Sequence, residues 1–374
     1  MLADTQYQKN ALLAIDLHAD TLQRVLDEGH DLAQTPAQGH LDIARMRAGG
    51  LGAQFFSIWV SPSLYPGDCA VERAWRLIAA LKQQVARHDD KLELATSPHD
   101  IERILQAGRI AASMGIEGGH AINGRLELVE EFYRAGVRYM TLSWSNSNEI
   151  CGSSGDAGRE RGLSDFGLEV VKLMNQLGMM VDVSHVSDRA FYDVLAVTTK
   201  PVIASHSNLR RLCNHPRNLT DDMLRALAQN GGICGINFYP VFLDDNYYGD
   251  YRDLSTELTA EISRAHADNA QDPVRAAIIA DKIRIMAMAK LSPVTYKKVV
   301  DHIEQVVEIA GIDHVCLGSD FDGIPSVPYG LEDVSKLPII ANELAQRGYD
   351  SVSIEKIFSR NIMRVFAAVV DERS

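Results

Sequence analysis

The sequence predicts an α/β protein of the (β/α)8, or TIM-barrel, class, and three observations carry that prediction. Eight apolar runs of strand length alternate with helix-like segments, the pattern of a parallel sheet, and eight is the number that closes such a barrel. Five of those runs end in a histidine or a carboxylate: His18 with Asp20, then Glu117, His185, His206 and Asp320. The stretch Leu254–Lys290, between the seventh and eighth runs, is mostly helical and too long for an ordinary connection. It reads as an insertion over one end of the barrel.

Taken in order, the first run is Leu12-Leu13-Ala14-Ile15-Asp16-Leu17, closing on His18-Ala19-Asp20. Alternation along a strand places residues two apart on one face, so His18 and Asp20 converge at its carboxyl end. Leu41–Gly50 reads as a helix closing on glycines, and Gly52–Trp59 as the second strand, with Trp59 as a pocket wall. Residues 70–88 carry Val71, Ala74, Leu77, Ile78, Leu81 and Val85 at helical spacing. Ile110–Ile116 is the third strand and ends at Glu117. Leu126–Arg134 is a helix, and Val137–Leu142 is the fourth strand. A helix over Asp165–Leu177 stops at Gly178, a glycine suited to a C-terminal cap.

The rhythm persists in the second half. Met179–Ser184 is the fifth strand, ending at His185, and a helix near Asp188–Ala196 leads to the sixth, Pro201–Ser205, ending at His206. The helix Asp221–Gln229 precedes the seventh strand, Gly232–Phe238. The eighth, His314–Ser319, ends at Asp320, and residues after about 337 form a helical C-terminal tail. No repeat, low-complexity tract or linker interrupts the 374 residues, so they read as one domain.

Composition narrows the function. With 46% hydrophobic and 23% charged residues the chain has an ordinary globular balance, and a formal charge of −13 argues against a nucleic-acid partner. The five cysteines, Cys69, Cys151, Cys213, Cys234 and Cys316, are scattered without a Cys-x-x-Cys pair, which suits reduced thiols. The N-terminus lacks the long apolar region of a secretory signal, and no stretch approaches the roughly 20 apolar residues of a membrane span. The expected setting is soluble and cytoplasmic, with no membrane partner.

In a (β/α)8 barrel the carboxyl ends of the strands share one mouth, where active sites lie. Each strand-end residue alone has a plainer explanation, such as a core histidine or a helix cap; six at one rim do not. Three histidines and three carboxylates exceed the three or so ligands of a single open zinc site. They suit two metals sharing a carboxylate, for which Glu117 is the obvious bridge, with one acid left to move protons. His30, His40, His88, His99, His266 and His302 fall outside the strand ends, and His314 begins its strand at the wrong end. His120 and His215 sit near the mouth.

Six segments in order resemble the renal (membrane) dipeptidase family of zinc peptidases: His-Ala-Asp at 18–20, Gly-Ile-Glu-Gly-Gly at 115–119, Asp-Val-Ser-His at 182–185, Ala-Ser-His-Ser at 204–207, Cys213 to Asn218, and Gly-Ser-Asp-Phe-Asp-Gly at 318–323 followed by Gly330–Val334. The resemblance implies a binuclear zinc site, with one ion on His18, Asp20 and Glu117 and the other on Glu117, His185 and His206. It also implies that Asp320 moves protons, that Arg217 binds the free carboxylate of a dipeptide substrate, and that the protein is a homodimer. A guanidinium fork matches a carboxylate, which gives the Arg217 assignment a physical basis. One departure stands out: where the family often carries a substrate-contacting histidine, the run 141–148 places Trp144, which neither titrates nor binds metal. The expected activity is therefore zinc-dependent hydrolysis of free dipeptides, L,D pairs among them. The alternatives are a cyclic-amide or β-lactam hydrolase on the same site and a non-catalytic binding protein of the same fold.

Overall fold

The structure is a computed structural model that describes residues 13–36 and 38–370; Leu12, in the first expected run, lies outside them. Its sheet contains β1 (Ala14–Ala19), β2 (Leu51–Trp59), β3 (Leu92–Leu94), β4 (Ile110–Glu117), β5 (Val137–Thr141), β6 (Met180–Asp182), β7 (Ile203–Ser207), β8 (Ile233–Ile236) and β9 (Val315–Leu317). All pairings between these strands are parallel, and eight of them close a ring in the order β1-β2-β4-β5-β6-β7-β8-β9. The expected barrel is therefore present, with a ninth strand outside it. β3 pairs only with Ile110–Ala112 of β4, and β5 takes over that edge from Met114 onward. Three residues are too few for alternation to show in a sequence.

The helices are α1 (Thr21–Asp27), α2 (Ile43–Ala48), α3 (Asp68–Arg87), α4 (Pro98–Gln106), α5 (Glu127–Ala135), α6 (Asp165–Leu177), α7 (Asp188–Val197), α8 (Asp221–Gln229), α9 (Pro240–Leu243), α10 (Asp245–Asp268), α11 (Pro273–Met288), α12 (Lys297–Ala310), α13 (Pro338–Gln346), α14 (Ser351–Glu355) and α15 (Asn361–Val369). Hydroxyl caps start several of them: Ser97, Ser164, Ser187 and Thr220 each accept a hydrogen bond from the amide three residues on. Gly178 ends α6 in the left-handed conformation, as its sequence position predicts. The insertion is a helical hairpin, α10 and α11, that begins nearer β8 than expected. It is rooted at the mouth, where Tyr239 packs on Tyr251 and its hydroxyl meets the Met288 sulfur at 3.9 Å. Among the described residues, no helix is long and apolar enough to cross a membrane.

The two ends of the barrel differ in chemistry. Toward the amino ends of the strands, Leu17, Phe55, Tyr139, Met180, Ile203, Ile233 and Cys316 form one apolar cluster with Ile362, Val365 and Phe366 of α15. Phe366 meets Phe55 with ring centroids 5.9 Å apart. The C-terminal helix thus seals the floor, leaving the carboxyl ends as the open face. Three strands, β6, β8 and β9, stop two residues earlier than the sequence suggests. β6 ends at Asp182 because, after Val183 N has donated to Ile203 O, Ser184 N turns back onto the Asp182 carboxylate, and β9 ends at Leu317 because Ser319 N is taken by the Asp16 carboxylate.

Candidate active site

His18 is fully buried near the end of β1, and its Nε2 lies 3.3 Å from Asp20 Oδ2, 3.3 Å from Glu117 Oε2 and 4.0 Å from Asp320 Oδ1. Alternation within one strand does not account for the Asp20 contact. The strand ends at Ala19, and Asp20 occupies the cap position of α1. Its side chain caps nothing: Oδ2 turns to His18 and the buried Oδ1 has no partner. Glu117, the last residue of β4, divides its two oxygens. Oε2 faces His18, whereas Oε1 lies 2.9 Å from His185 Nε2 and 3.5 Å from His206 Nε2. The two histidine nitrogens are themselves 2.9 Å apart.

Neighbouring hydroxyls set the imidazole orientations. Tyr139 donates its hydroxyl to Leu17 O, so the His18 Nδ1–H must donate to Tyr139 Oη at 3.0 Å, which aims Nε2 into the centre. Ser205 donates to Asp182 Oδ2 at 2.6 Å and receives His206 Nδ1–H at 2.7 Å, and His206 Nε2 is aimed inward in the same way. Asp182 is anchored in turn by Thr141 Oγ1 and by the amides of Ser184 and Ser205. A methyl on Gly115 would fall 2.0 Å from a Tyr139 ring carbon, so only glycine leaves room for that ring. Replacing Tyr139 with phenylalanine removes two hydrogen bonds, to Leu17 O and from His18 Nδ1, and no ligand. Metal affinity, read by competition with a chromophoric chelator, should fall by roughly 10–100-fold with the fold intact.

Charge in this cluster is out of balance without a cation. Burial opposes charge on His18, yet Tyr139, Glu117 and Asp20 hold its pKa well above the ordinary histidine range. Glu117 is held well below the carboxylate range despite burial, by His18, His185 and His206. Burial and the Glu117 charge raise Asp20. Burial lowers His206, with His18 adding to it, and burial together with Arg217 brings His185 down to about 3. Inward lone pairs, carboxylates of one sign and the unpartnered Asp20 Oδ1 make a set that divalent metal fits. Ligand atoms of His18, Glu117 and His206, and likewise of His18, Asp20 and Asp320, lie within 4.8 Å of one another.

Two residues of the rim hold strained backbone. His185 and Asp320 have φ of 68° and 64°, a region costly for a side chain other than glycine. Asp320 Oδ2 accepts from Asn237 Nδ2 at 2.9 Å, and burial, with Asp20 and Glu117 nearby, raises its pKa to about 8. A methyl on Gly323 would sit 2.2 Å from Asp20 Oδ2 and 2.5 Å from Asp320 Oδ1, so this glycine lets the loop press against both carboxylates. His40 belongs nearer the site than its loop position suggests, because its Nδ1 accepts from Asp322 N at 2.8 Å and its amide donates to Asp322 Oδ1 at 2.8 Å. Tyr139 and Asn237 carry no sequence signal of their own beyond membership of expected strands, whereas Gly323 closes the 318–323 motif.

Arg217 is buried, and what it meets is a carbonyl and a hydroxyl. Nη2 donates to His206 O at 3.1 Å, Nη1 reaches Ser207 Oγ at 3.5 Å, and Nε has no partner. Burial lowers its pKa to about 10, which leaves it cationic at neutral pH. His215 supports it, accepting the Arg217 amide on Nδ1 at 3.1 Å while its ring lies between Phe242 and Tyr248. Trp144 sits with its ring centroid 5.0 Å from Trp59 and 6.4 Å from His185. His120 donates through Nε2 to Val60 O at 2.8 Å and is aimed away from Glu117 at that nitrogen.

Comparison with known proteins agrees with this geometry. The sequence model of the membrane dipeptidase family, peptidase family M19, matches residues 6–374. Dipeptidase tcpJ of Claviceps purpurea is 34% identical over 341 residues, covering 89% of this chain and 70% of its own length. The probable dipeptidase PvdM from Pseudomonas aeruginosa superposes with a TM-score of 0.82 at 24% identity, over 97% of this chain and 99% of its own. A metallo peptidase from Rhodobacter sphaeroides, liganded with a phosphinate mimic of the dipeptide L-Ala-D-Ala, superposes at 0.77 and 24% identity, over 95% and 99% of the two chains. The two structures establish the shared barrel, and the sequence matches establish descent: the chain belongs to the membrane dipeptidase family of metallopeptidases and is a metallo-dipeptidase.

Proposed function

We propose that the chain hydrolyses free dipeptides with two zinc ions bridged by Glu117, one completed by His18 and Asp20, the other by His185 and His206. The observation that carries this reading is the division of Glu117, one oxygen toward His18 and the other toward the His185–His206 pair. Nitrogen and oxygen donors together suit zinc. Bound there, the ions would supply Lewis acidity to a carbonyl and acidify water.

The protein's own groups do the rest. Arg217 receives the substrate's terminal carboxylate: a buried guanidinium without a carboxylate partner is costly until an anion arrives. Asp320, oriented by Asn237, accepts a proton from the attacking water and returns it to the departing amine. Trp144 shapes the rim. The mimic bound by the Rhodobacter neighbour supports L,D pairs as substrates. Free thiols at all five cysteines support a reducing, cytoplasmic setting.

The test compares a dipeptide with its C-terminally amidated form on zinc-loaded protein. Losing a charge-assisted hydrogen bond worth about 1.5–3 kcal/mol should cost the amide roughly 10–100-fold in kcat/KM. Arg217→Ala should lose the distinction while holding its zinc. Equal cleavage of acid and amide by the wild type sinks the carboxylate-binding role.

A further inference from the structure

The rim of the barrel is divided between two chemistries. Asp20 and Asp320 follow β1 and β9, which are neighbours in the ring, and form an acidic sector. Arg217 is tied to the end of β7 through His206 O and Ser207 Oγ. Counting round the eight strands, β2 lies diametrically across from β7. There stands Trp59, paired in register with Glu117 of β4. Ser57, two residues earlier and on the same face, reaches Glu117 Oε2 at 3.3 Å, so Trp59 rises on that face one pleat nearer the mouth.

Trp144 comes to meet it from the loop after β5. The two indoles lie with centroids 5.0 Å apart and planes at 58°, Trp59 beside the end of β4 and Trp144 6.4 Å from the His185 ring. Both tryptophans are part-exposed, so surface remains for a ligand. The wall is held in place. Gln23 Nε2 donates to Trp59 O at 2.7 Å, and Ser153 Oγ donates to Trp144 O. Gly118 beneath has φ of 94°, and a methyl there would lie 3.2 Å from Trp144 Cβ and 2.4 Å from a His120 ring carbon.

We infer that the Trp59–Trp144 pair is the specificity wall for the substrate's N-terminal residue and selects aromatic side chains there. The inference rests on the dipeptidase reading and on Arg217 as the carboxylate site. Two extended residues span about 7 Å. With the carboxylate at β7 and the scissile carbonyl over Glu117, the N-terminal residue falls on the β2–β5 side of the mouth. Its ammonium turns to the acidic sector, and its side chain meets two indole faces. Indoles reward an aromatic ring through area and offset stacking. Trp144, with a single N–H donor and no acceptor nitrogen, offers a polar side chain little.

The experiment measures kcat/KM on zinc-loaded full-length protein for Gly-Ala, Phe-Ala, Trp-Ala and Lys-Ala, with Ala-Gly and Ala-Phe as the C-terminal control. Wild type should favour Phe-Ala over Gly-Ala by ~10-fold or more, the scale on which an apolar pocket discriminates. That ratio should fall to within about threefold in Trp144→Ala and in Trp59→Ala, with Trp144→His between, while the Ala-Phe to Ala-Gly ratio moves less than about twofold. A second readout is direct binding of phosphinate isosteres of Phe-Ala and Gly-Ala, followed by tryptophan fluorescence. The third tryptophan, Trp75, is engaged with Phe132 at 4.8 Å, so a change specific to the benzyl compound that Trp144→Phe diminishes reports the pair. A wild-type preference for Gly-Ala or Lys-Ala overturns the inference, as does an aromatic preference that survives both alanine variants. Dipeptides cleaved without any N-terminal preference defeat the wall alone. No cleavage and no isostere binding defeat the dipeptidase reading, and the wall with it.

Discussion

Glu117→Ala should empty both metal positions at once and reduce turnover to background. Among the described residues, Glu117 is the one side chain that faces His18, His185 and His206 together, at 2.9–3.5 Å. Breaking a buried ionic contact by removing one partner costs about 3–5 kcal/mol, which converts to roughly 10²–10⁴ in affinity at each position. Glu117→Gln keeps the volume and one oxygen, and should retain more metal than the alanine variant while remaining far below wild type. Elemental analysis after gel filtration, with the thermal transition as a folding control, reads both. Wild-type metal content in Glu117→Ala would refute the bridge, and saturation of the wild type at one equivalent would refute the second ion.

Asp320→Asn tests the other large effect. An amide cannot carry the proton, so kcat should fall by roughly 10²–10⁴-fold. The substitution suits the position: asparagine tolerates the left-handed backbone that Asp320 adopts at φ 64°. Its carbonyl can still accept from Asn237, which leaves the NH2 group toward His18. Zinc content should stay at the wild-type value. Asp320 also stands within 4.0 Å of His18 Nε2, so a drop in metal together with activity would reassign it as a ligand.

How the sequence betrays the site, and where it stops doing so, follows from length scale. The ends of the strands are legible because an apolar run that halts at a histidine or carboxylate is a local event, readable within ten residues. That is how His18, Glu117, His185, His206 and Asp320 declare themselves. Asp20 is legible for a mistaken reason, since it reaches His18 from a helix start and not from the same strand. α12 contains Val299, Ile303 and Val306 at helical spacing, and α4 has a serine cap followed by proline, so both are legible locally. β3 is not. Tyr139 is the harder case: it looks like any strand aromatic, and its hydroxyl serves a histidine 121 residues away. The positive φ of His185 and Asp320 is equally silent, because no glycine marks it.

Closure of the ring between β1 and β9 sets an order of events during synthesis. Ser319 Oγ donates to Asp16, Asp320 N to His18 O at 3.1 Å, and Asp20 N to Phe321 O at 2.8 Å, contacts that join residues some 300 apart. Such distant pairing is slow to form. While the last strand is still in the ribosome, the first has one unpaired edge, and His18 and Asp20 wait without Asp320 beside them. Completion of the centre, with Asp320 in place, is therefore a late step in maturation, and a nascent chain halted before residue 315 presents two open sheet edges, a template for aggregation.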